Sequence, residues 1–361
     1  MRWYISYSED SWSISVFNLD DITYGHGLQQ DNRHLFIYME HDNKQPVWTD
    51  DDVKYMRRCI QLAENGLLST RPNPMVGAVI TARGRIIGEG YHVRCGQGHA
   101  EVNAFASVRQ DDEPLLKEAT VYVSLEPCSH WGKTPPCADL IISKGVKRVV
   151  VGIIDPFAQV QGRGIRKLRE AGIKVEVGLL EDECWWLNRR FFTYHAQQRP
   201  YIILKWAQTG DGFIDDHYHP VMISNPQTQM LSHKLRSEEM AILVGHTTAE
   251  RDKPALNVRH WTGQDPKRII LTHARPLQQL IDDLHQQGIQ SLIVEGGRKT
   301  LESFIEAGLW DEIRRELSPM TVGDGTPAPH LPADIAIVSH HHYADNTITV
   351  YRRKQHKGSQ A

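Results

Sequence analysis

Apolar residues recur every three or four positions through Val53, Met56, Ile60, Ala63 and Leu67, the stripe of a helix that buries one face. Thr49 stands just ahead of it with Asp52 three residues on, a variant capping box that predicts where the helix starts. Beyond it the period shortens to two. Val76–Ile80 and Arg85–Gly90 read as a hairpin across Ala82-Arg83-Gly84, and Thr120–Leu125 as a β-branched and aromatic strand. Residues 147–153 and Ile173–Val177 complete the strand series. Helical patterns fall between them: one opened by His99, one over 137–145 with glycine as its stop, and one over 164–171. The alternation predicts an α/β sandwich around one sheet for residues 49–180.

Residues 181–199 read as a connector, with Trp185 and Trp186 packing at a domain boundary. A second α/β domain is expected over 200–361. Its strands are Pro200–Trp206, Ala241–Gly245, Arg268–Thr272 and Ser291–Val294, with helices over Pro226–Met240 and Leu277–Gln287. The last strand runs into Glu295-Gly296-Gly297 at the mouth of a further helix, a turn whose bare backbone can approach phosphate. Residues 1–48 show no sustained period and are expected to be a poorly ordered appendage, the functional protein starting near Met39.

Composition narrows the class. A chain of 361 residues can build two full cores. A net charge of −3 gives no general attraction to nucleic acid or anionic membrane. Five cysteines, an odd and irregularly spaced number, argue against a secreted disulfide framework. No apolar run reaches the length of a membrane span. The expectation is a soluble cytoplasmic protein with a small-molecule substrate and with neither nucleic acid nor membrane as partner; self-association is left open. His340, His341 and His342 are expected in a solvated loop before the final strand.

The chemistry concentrates in His99-Ala100-Glu101 and in the stretch Glu126-Pro127-Cys128 to Pro136-Cys137. One imidazole and two thiols make a three-ligand zinc set, which leaves a fourth position for water. Glu101 is the carboxylate that shuttles the proton. Eight residues lie between Cys128 and Cys137, where the zinc-deaminase signature commonly has two. Cys59, Cys95 and Cys184 have no such partners, and packing or exposure is expected of them.

With both halves laid out, the chain resembles the bifunctional deaminase–reductases of bacterial riboflavin biosynthesis over about residues 50–330. Asn73-Pro74-Met75-Val76-Gly77-Ala78, His99-Ala100-Glu101, the Glu126–Cys137 block, Asp155-Pro156 and Val160-Gln161-Gly162-Arg163-Gly164 carry the resemblance. It implies a cytidine-deaminase-like α/β/α sandwich followed by a dihydrofolate-reductase-like α/β domain, with Zn2+ and NADPH as cofactors. The first domain would deaminate 2,5-diamino-6-(5-phosphoribosylamino)pyrimidin-4-one. The second would reduce the ribosyl to a ribityl side chain.

Carried over by resemblance, His99, Cys128 and Cys137 hold zinc, Glu101 is catalytic, and Asn73 meets the base. In the second half the resemblance places Arg236, Leu256, Arg259 and Glu295 on substrate. It places Ala207, Met222, Thr248, Asp252 and Gly297 on the cofactor. His130 and Lys133 sit in the loop between the cysteines, toward substrate phosphate or ring. Two departures stand out. Met222 replaces a frequent tryptophan, and only 22 positions separate His273 from Glu295, where the family carries a few tens more. That shortening leads to the expectation of weakened or absent NADPH reduction. The alternatives are a deaminase with a decayed reductase domain, a nucleic-acid base deaminase, and a scaffold on a decayed enzyme fold.

Overall fold

The computed structural model describes residues 46–131, 135–156, 162–219, 221–272 and 274–354, with the backbone of 2–8 and 11–17. Two units result, 1–45 and 46–361. The first holds an antiparallel hairpin of β1 (Arg2–Ser8) and β2 (Ser11–Phe17), Ile5 facing Ile14 and Tyr7 facing Trp12. This corrects the expectation that the segment lacks a strand period. Trp12, Ile14 and Val16 alternate with serines, which is a strand signal too short to stand out in a long polar segment.

The second unit begins with α1 (Asp50–Glu64), whose capping box between Thr49 and Asp52 is present in full. Strands β3 (Gly77–Ala82) and β4 (Arg85–Tyr91) form the expected hairpin. Next come α2 (Ala100–Ala106), a 3-10 helix over Gln110–Glu118, β5 (Thr120–Leu125), α3 (Cys137–Lys144), β6 (Arg148–Ile153), α4 (Arg163–Glu170) and β7 (Lys174–Val177). The sheet order is β4-β3-β5-β6-β7. Strands β5, β6 and β7 run parallel, with β3 antiparallel to β5. Met56, Cys59 and Leu62 of α1 pack on one face with Tyr122 and Val150, while Ala104, Ile141 and Leu168 cover the other. Both faces are dry, so the strands read as near-continuous apolar runs.

The 181–199 stretch is not plain connector. It folds as α5 (Glu181–Leu187) and α6 (Arg189–Gln197), and Trp186 is sandwiched between the guanidinium groups of Arg189 and Arg352. Its helical period was masked by length, since the helices have only 7 and 9 residues, about two turns each.

The second domain continues with β8 (Tyr201–Gln208), α7 (Pro226–Glu238), β9 (Ala241–Gly245), α8 (His246–Asp252), β10 (Lys267–Leu271), α9 (Leu277–Gln286), β11 (Ser291–Val294) and α10 (Arg298–Glu306). Strands β12 (Glu312–Leu317), β13 (Ile335–Tyr343) and β14 (Asn346–Arg353) end it. The order is β10-β9-β11-β8-β12-β14-β13. It is parallel from β10 to β12 and antiparallel beyond. Leu280, Leu284, Leu301 and Phe304 fill one face, and Leu235 with Leu256 the other. The three consecutive histidines lie within β13 rather than in a loop. As an edge strand it needs no apolar face, and His340 and His342 stack edge to face with centroids 5.2 Å apart.

Candidate functional site

Both sites lie where parallel strands end at their carboxyl termini, the usual place for a site in an α/β sheet. In the first domain, α2 begins with His99 as its N-cap, and α3 begins at Cys137. Cys128 follows β5 directly. The His99 Nδ1 atom lies 3.5 Å from Cys128 Sγ and 3.3 Å from Cys137 Sγ, and the three ligand atoms sit within 4.8 Å of one another. Tetrahedral bonds of about 2.05 Å to nitrogen and about 2.3 Å to sulfur put such donors roughly 3.5 Å apart. The soft donor set and its spacing therefore fit zinc. The Cys137 backbone N–H donates to Cys128 Sγ at 3.3 Å, as thiolate ligands require. The Cys137 thiol beside Cys128, then His99, hold the Cys128 thiol below the ordinary thiol range against the opposing effect of burial.

Glu101 projects from the first turn of α2 and is 3 % exposed. Burial, followed by the charge of Cys128, pushes its carboxyl up to about 7. A carboxyl in that range can both take and give a proton at neutral pH.

Two residues that sequence reasoning passed over complete this half. His92 is buried; its Nδ1 faces the Gly98 carbonyl at 3.2 Å and its Nε2 faces Asn73 Nδ2 at 3.2 Å. A carbonyl only accepts, so Nδ1 carries the proton and Nε2 accepts from the amide of Asn73. The Asn73 Oδ1 is thereby the atom left for a ligand. No local signal marks His92, because it is brought to Asn73 by the β4 strand end. Glu126, conspicuous beside Pro127, turns out to anchor a loop. Its carboxylate accepts from the backbone N–H groups of Gly162 and Gly164, both at 2.9 Å. A Cβ on Gly164 would lie 1.9 Å from the Pro127 carbonyl oxygen, so only glycine permits α4 to abut the metal loop. His130 is exposed. Lys133, Val160 and Gln161 lie outside the described residues.

In the second domain a cleft of about 340 Å³ gathers most of the expected residues. Ala207, Met222, Arg236, Thr248, Asp252, Arg259, Glu295 and Gly297 line it, joined by Lys205, His233 and Arg251. Arg236 pairs with Glu295 at 2.6 Å. Burial alone would raise the Glu295 carboxyl, but Lys205 and Arg236 outweigh it and hold it below the usual range. Leu256 departs from expectation: its side chain is 4 % exposed and packs in the core under α7. Met222 is 75 % exposed at the rim. A Cβ on Gly296 would lie 2.7 Å from Thr300 Cβ, and one on Gly297 3.3 Å from Thr248 Oγ1. This bare cradle at the start of α10 fits a phosphate group of a dinucleotide.

Comparison with known proteins decides the family. Residues 49–153 match the cytidine and deoxycytidylate deaminase zinc-binding region, and residues 200–281 and 276–347 match the RibD C-terminal domain. The riboflavin biosynthesis protein RibD of Aquifex aeolicus is 39 % identical over 319 residues, which cover 76 % of this chain and 88 % of that protein. The chain belongs to the RibD family. The RibD protein of Actinobacillus pleuropneumoniae is 36 % identical, with 76 % and 85 % covered. A crystal structure of the diaminohydroxyphosphoribosylaminopyrimidine deaminase/5-amino-6-(5-phosphoribosylamino)uracil reductase of Thermotoga maritima superposes with a TM-score of 0.77. It is 33 % identical, and the match covers 84 % of this chain and 98 % of that one.

The chain is thus a riboflavin-biosynthesis enzyme acting on a small-molecule pyrimidine, with a zinc-dependent deaminase half and an NADPH-dependent reductase half. The decayed-reductase and nucleic-acid alternatives are not favoured. The RibD C-terminal model matches in two stretches that meet at 276–281. Among the described residues none from 260–294 lines the cleft. The short connection follows β10, an edge strand whose Ile270 is 50 % exposed. The RibD relatives and the reductase domain support reduction as well as deamination, so the expected loss of reduction is not favoured. His273 itself lies outside the described residues. No helix among the described residues is long and apolar enough to cross a membrane.

Proposed function

We propose that the deaminase half acts on the phosphoribosylated diaminopyrimidine named for the Thermotoga maritima protein, with His99, Cys128 and Cys137 as zinc ligands and Glu101 as the catalytic acid and base. One observation carries the reading: the buried carboxyl of Glu101 lies beside a His-Cys-Cys triangle of zinc dimensions. Zinc in this position supplies Lewis acidity that makes water nucleophilic near neutral pH. Glu101 accepts the proton of the attacking water and delivers it to the departing amine. Its burial keeps that proton from bulk solvent. Asn73 Oδ1, turned outward by His92, accepts from a ring N–H or amino group and orients the base.

In the reductase half, Arg236 and Arg259 meet the substrate phosphate, and Glu295 holds Arg236 in place for it. Thr248 and the Gly296-Gly297 backbone would cradle phosphate of NADPH, with Ala207, Met222 and Asp252 along the cofactor's path. Following NADPH oxidation on the deaminated product tests this half; turnover in the seconds range typical of enzymes supports it, and none at all rejects it. For the first half, Glu101→Gln with retained zinc and lost deamination is the deciding variant.

The domain limits read from the sequence, 49–180 for the deaminase and 200–361 for the reductase, are kept as part of this reading, with α5 and α6 between them. A cytoplasmic location and self-association belong to it as well. Fractionation and sedimentation test those two.

A further inference from the structure

The loop that presents Asn73 is gripped from outside its own domain. Gln290 Nε2 donates to the Pro72 carbonyl at 2.8 Å. The Arg71 guanidinium donates to the Glu238 carbonyl. From the inter-domain helices, Asn188 accepts from the Met75 N–H and donates to the Met75 carbonyl, both at 2.8 Å. Gln290 and Asn188 are 4 % and 2 % exposed, so none of these bonds is readily traded for water.

Gln290 and Glu238 belong to the two segments that build the reductase cleft. Helix α7 lines the cleft with His233 and Arg236, and ends at Glu238. Gln290 directly precedes β11, which leads to Glu295. The next residue along, Glu239, is buried and paired with Arg190 of α6, so the end of α7 is fixed on that side too. Within the deaminase domain, Asn73 has His92 to set which way its amide faces. The loop backbone is tied within the deaminase domain by the Asn73 N–H to the Thr70 carbonyl at 2.9 Å, and from the other domain by Gln290 at Pro72.

We propose that Gln290, with the Glu238 carbonyl, is a positioning element of the deaminase site: the reductase domain holds the Arg71–Met75 loop so that Asn73 meets the pyrimidine. This rests on the reading of Asn73 as a base-pocket residue. A loop released at this point costs binding rather than chemistry, since Glu101 and the zinc ligands sit on α2, α3 and the β5 end, which the contact does not touch.

The test uses the full chain with zinc bound. Gln290→Met keeps the side-chain length and removes the donor; Arg71→Lys keeps the charge and loses the reach to Glu238. For each, KM and kcat of deamination, zinc content and NADPH-dependent reduction are measured, beside Asn73→Ala and the double variant Asn73→Ala/Gln290→Met. The expected result is a deamination KM raised about 5- to 30-fold, the equivalent of one lost buried hydrogen bond. Deamination kcat should stay within about threefold, with zinc and reduction unchanged. The double variant should be no worse than Asn73→Ala, because both changes remove one interaction. An unchanged KM in both Gln290→Met and Arg71→Lys, with Asn73→Ala impaired, overturns the proposal and leaves the role of Asn73 standing. An Asn73→Ala variant with normal KM overturns both.

Discussion

The two halves of the molecule hold their chemistry differently. In the deaminase half the reacting groups are short, buried or half-buried, and packed around three strand and helix ends. Thirty-nine residues of sequence span His99 to Cys137, and the ligand atoms converge within 4.8 Å. In the reductase half the cleft draws residues from Lys205 to Gly297, with Lys205, Arg236, Arg251 and Arg259 among apolar and hydroxyl side chains on separate elements. A metal site demands a few donors at fixed short distances, whereas a dinucleotide cleft demands a long wall of weak contacts. The first cannot lose a part without failing.

The sharpest way to break that contrast is Glu101→Gln. Loss of the acid–base group should lower deamination by roughly 10²- to 10⁴-fold, with one zinc per chain retained and NADPH-dependent reduction untouched. Metal analysis and the two assays on one preparation decide it; an active variant removes Glu101 from its role. Cys128→Ser comes next. It should lose zinc and lower the thermal midpoint of the deaminase domain, because metal affinity is coupled to folding. Full zinc occupancy would take Cys128 out of the ligand set.

A third variant separates stability from chemistry. Asp52 is buried at the opposite end of the sheet, where Arg148 donates to it at 2.6 Å and Tyr122 at 2.7 Å. Burial alone would raise its carboxyl, but the hydrogen bonds of Arg148, Thr49 and Tyr122 outweigh it and hold it well below the usual range. A depressed folded pKa means stability that is present above the unfolded value near 4 and is lost as the pH falls toward the folded one. Asp52→Asn should cost about 2 kcal/mol at pH 7 in urea unfolding, and the gap to wild type should narrow below about pH 4. A gap independent of pH would show that the carboxylate's charge is not what counts. The smallest effect is expected of Cys95→Ser. Cys95 is exposed beside the approach to His99, so zinc content should hold and activity should stay within about twofold; lost metal would add it to the ligand set.

Much was legible along the chain. The capping box at Thr49, the strands at 120–125, 241–245 and 291–294, and the helix starting at Cys137 appear where periodicity and stop signals put them. These are local decisions, made within a few residues by alternation, capping and glycine. The zinc set was legible for the same reason, since residue type alone limits what a histidine, two cysteines and a glutamate can do together. The hairpin at 2–17, the helices α5 and α6 and the strand carrying His340–His342 were not, because short elements give too few periods to count.

What the amino-acid order determined by itself is therefore the class of chemistry and the alternation of elements that carries it. Tertiary structure alone decided the rest. It placed His92 so that one tautomer turns Asn73 outward, and packed the Leu256 side chain in the core under α7. It also set the short connection after β10 at the edge of the sheet. Each is a matter of which strand lies beside which, and residues 19 or 218 positions apart, such as Asn73 with His92 and Pro72 with Gln290, meet only when the sheets are assembled. Burial then fixes their protons and hydrogen bonds, which no local pattern encodes.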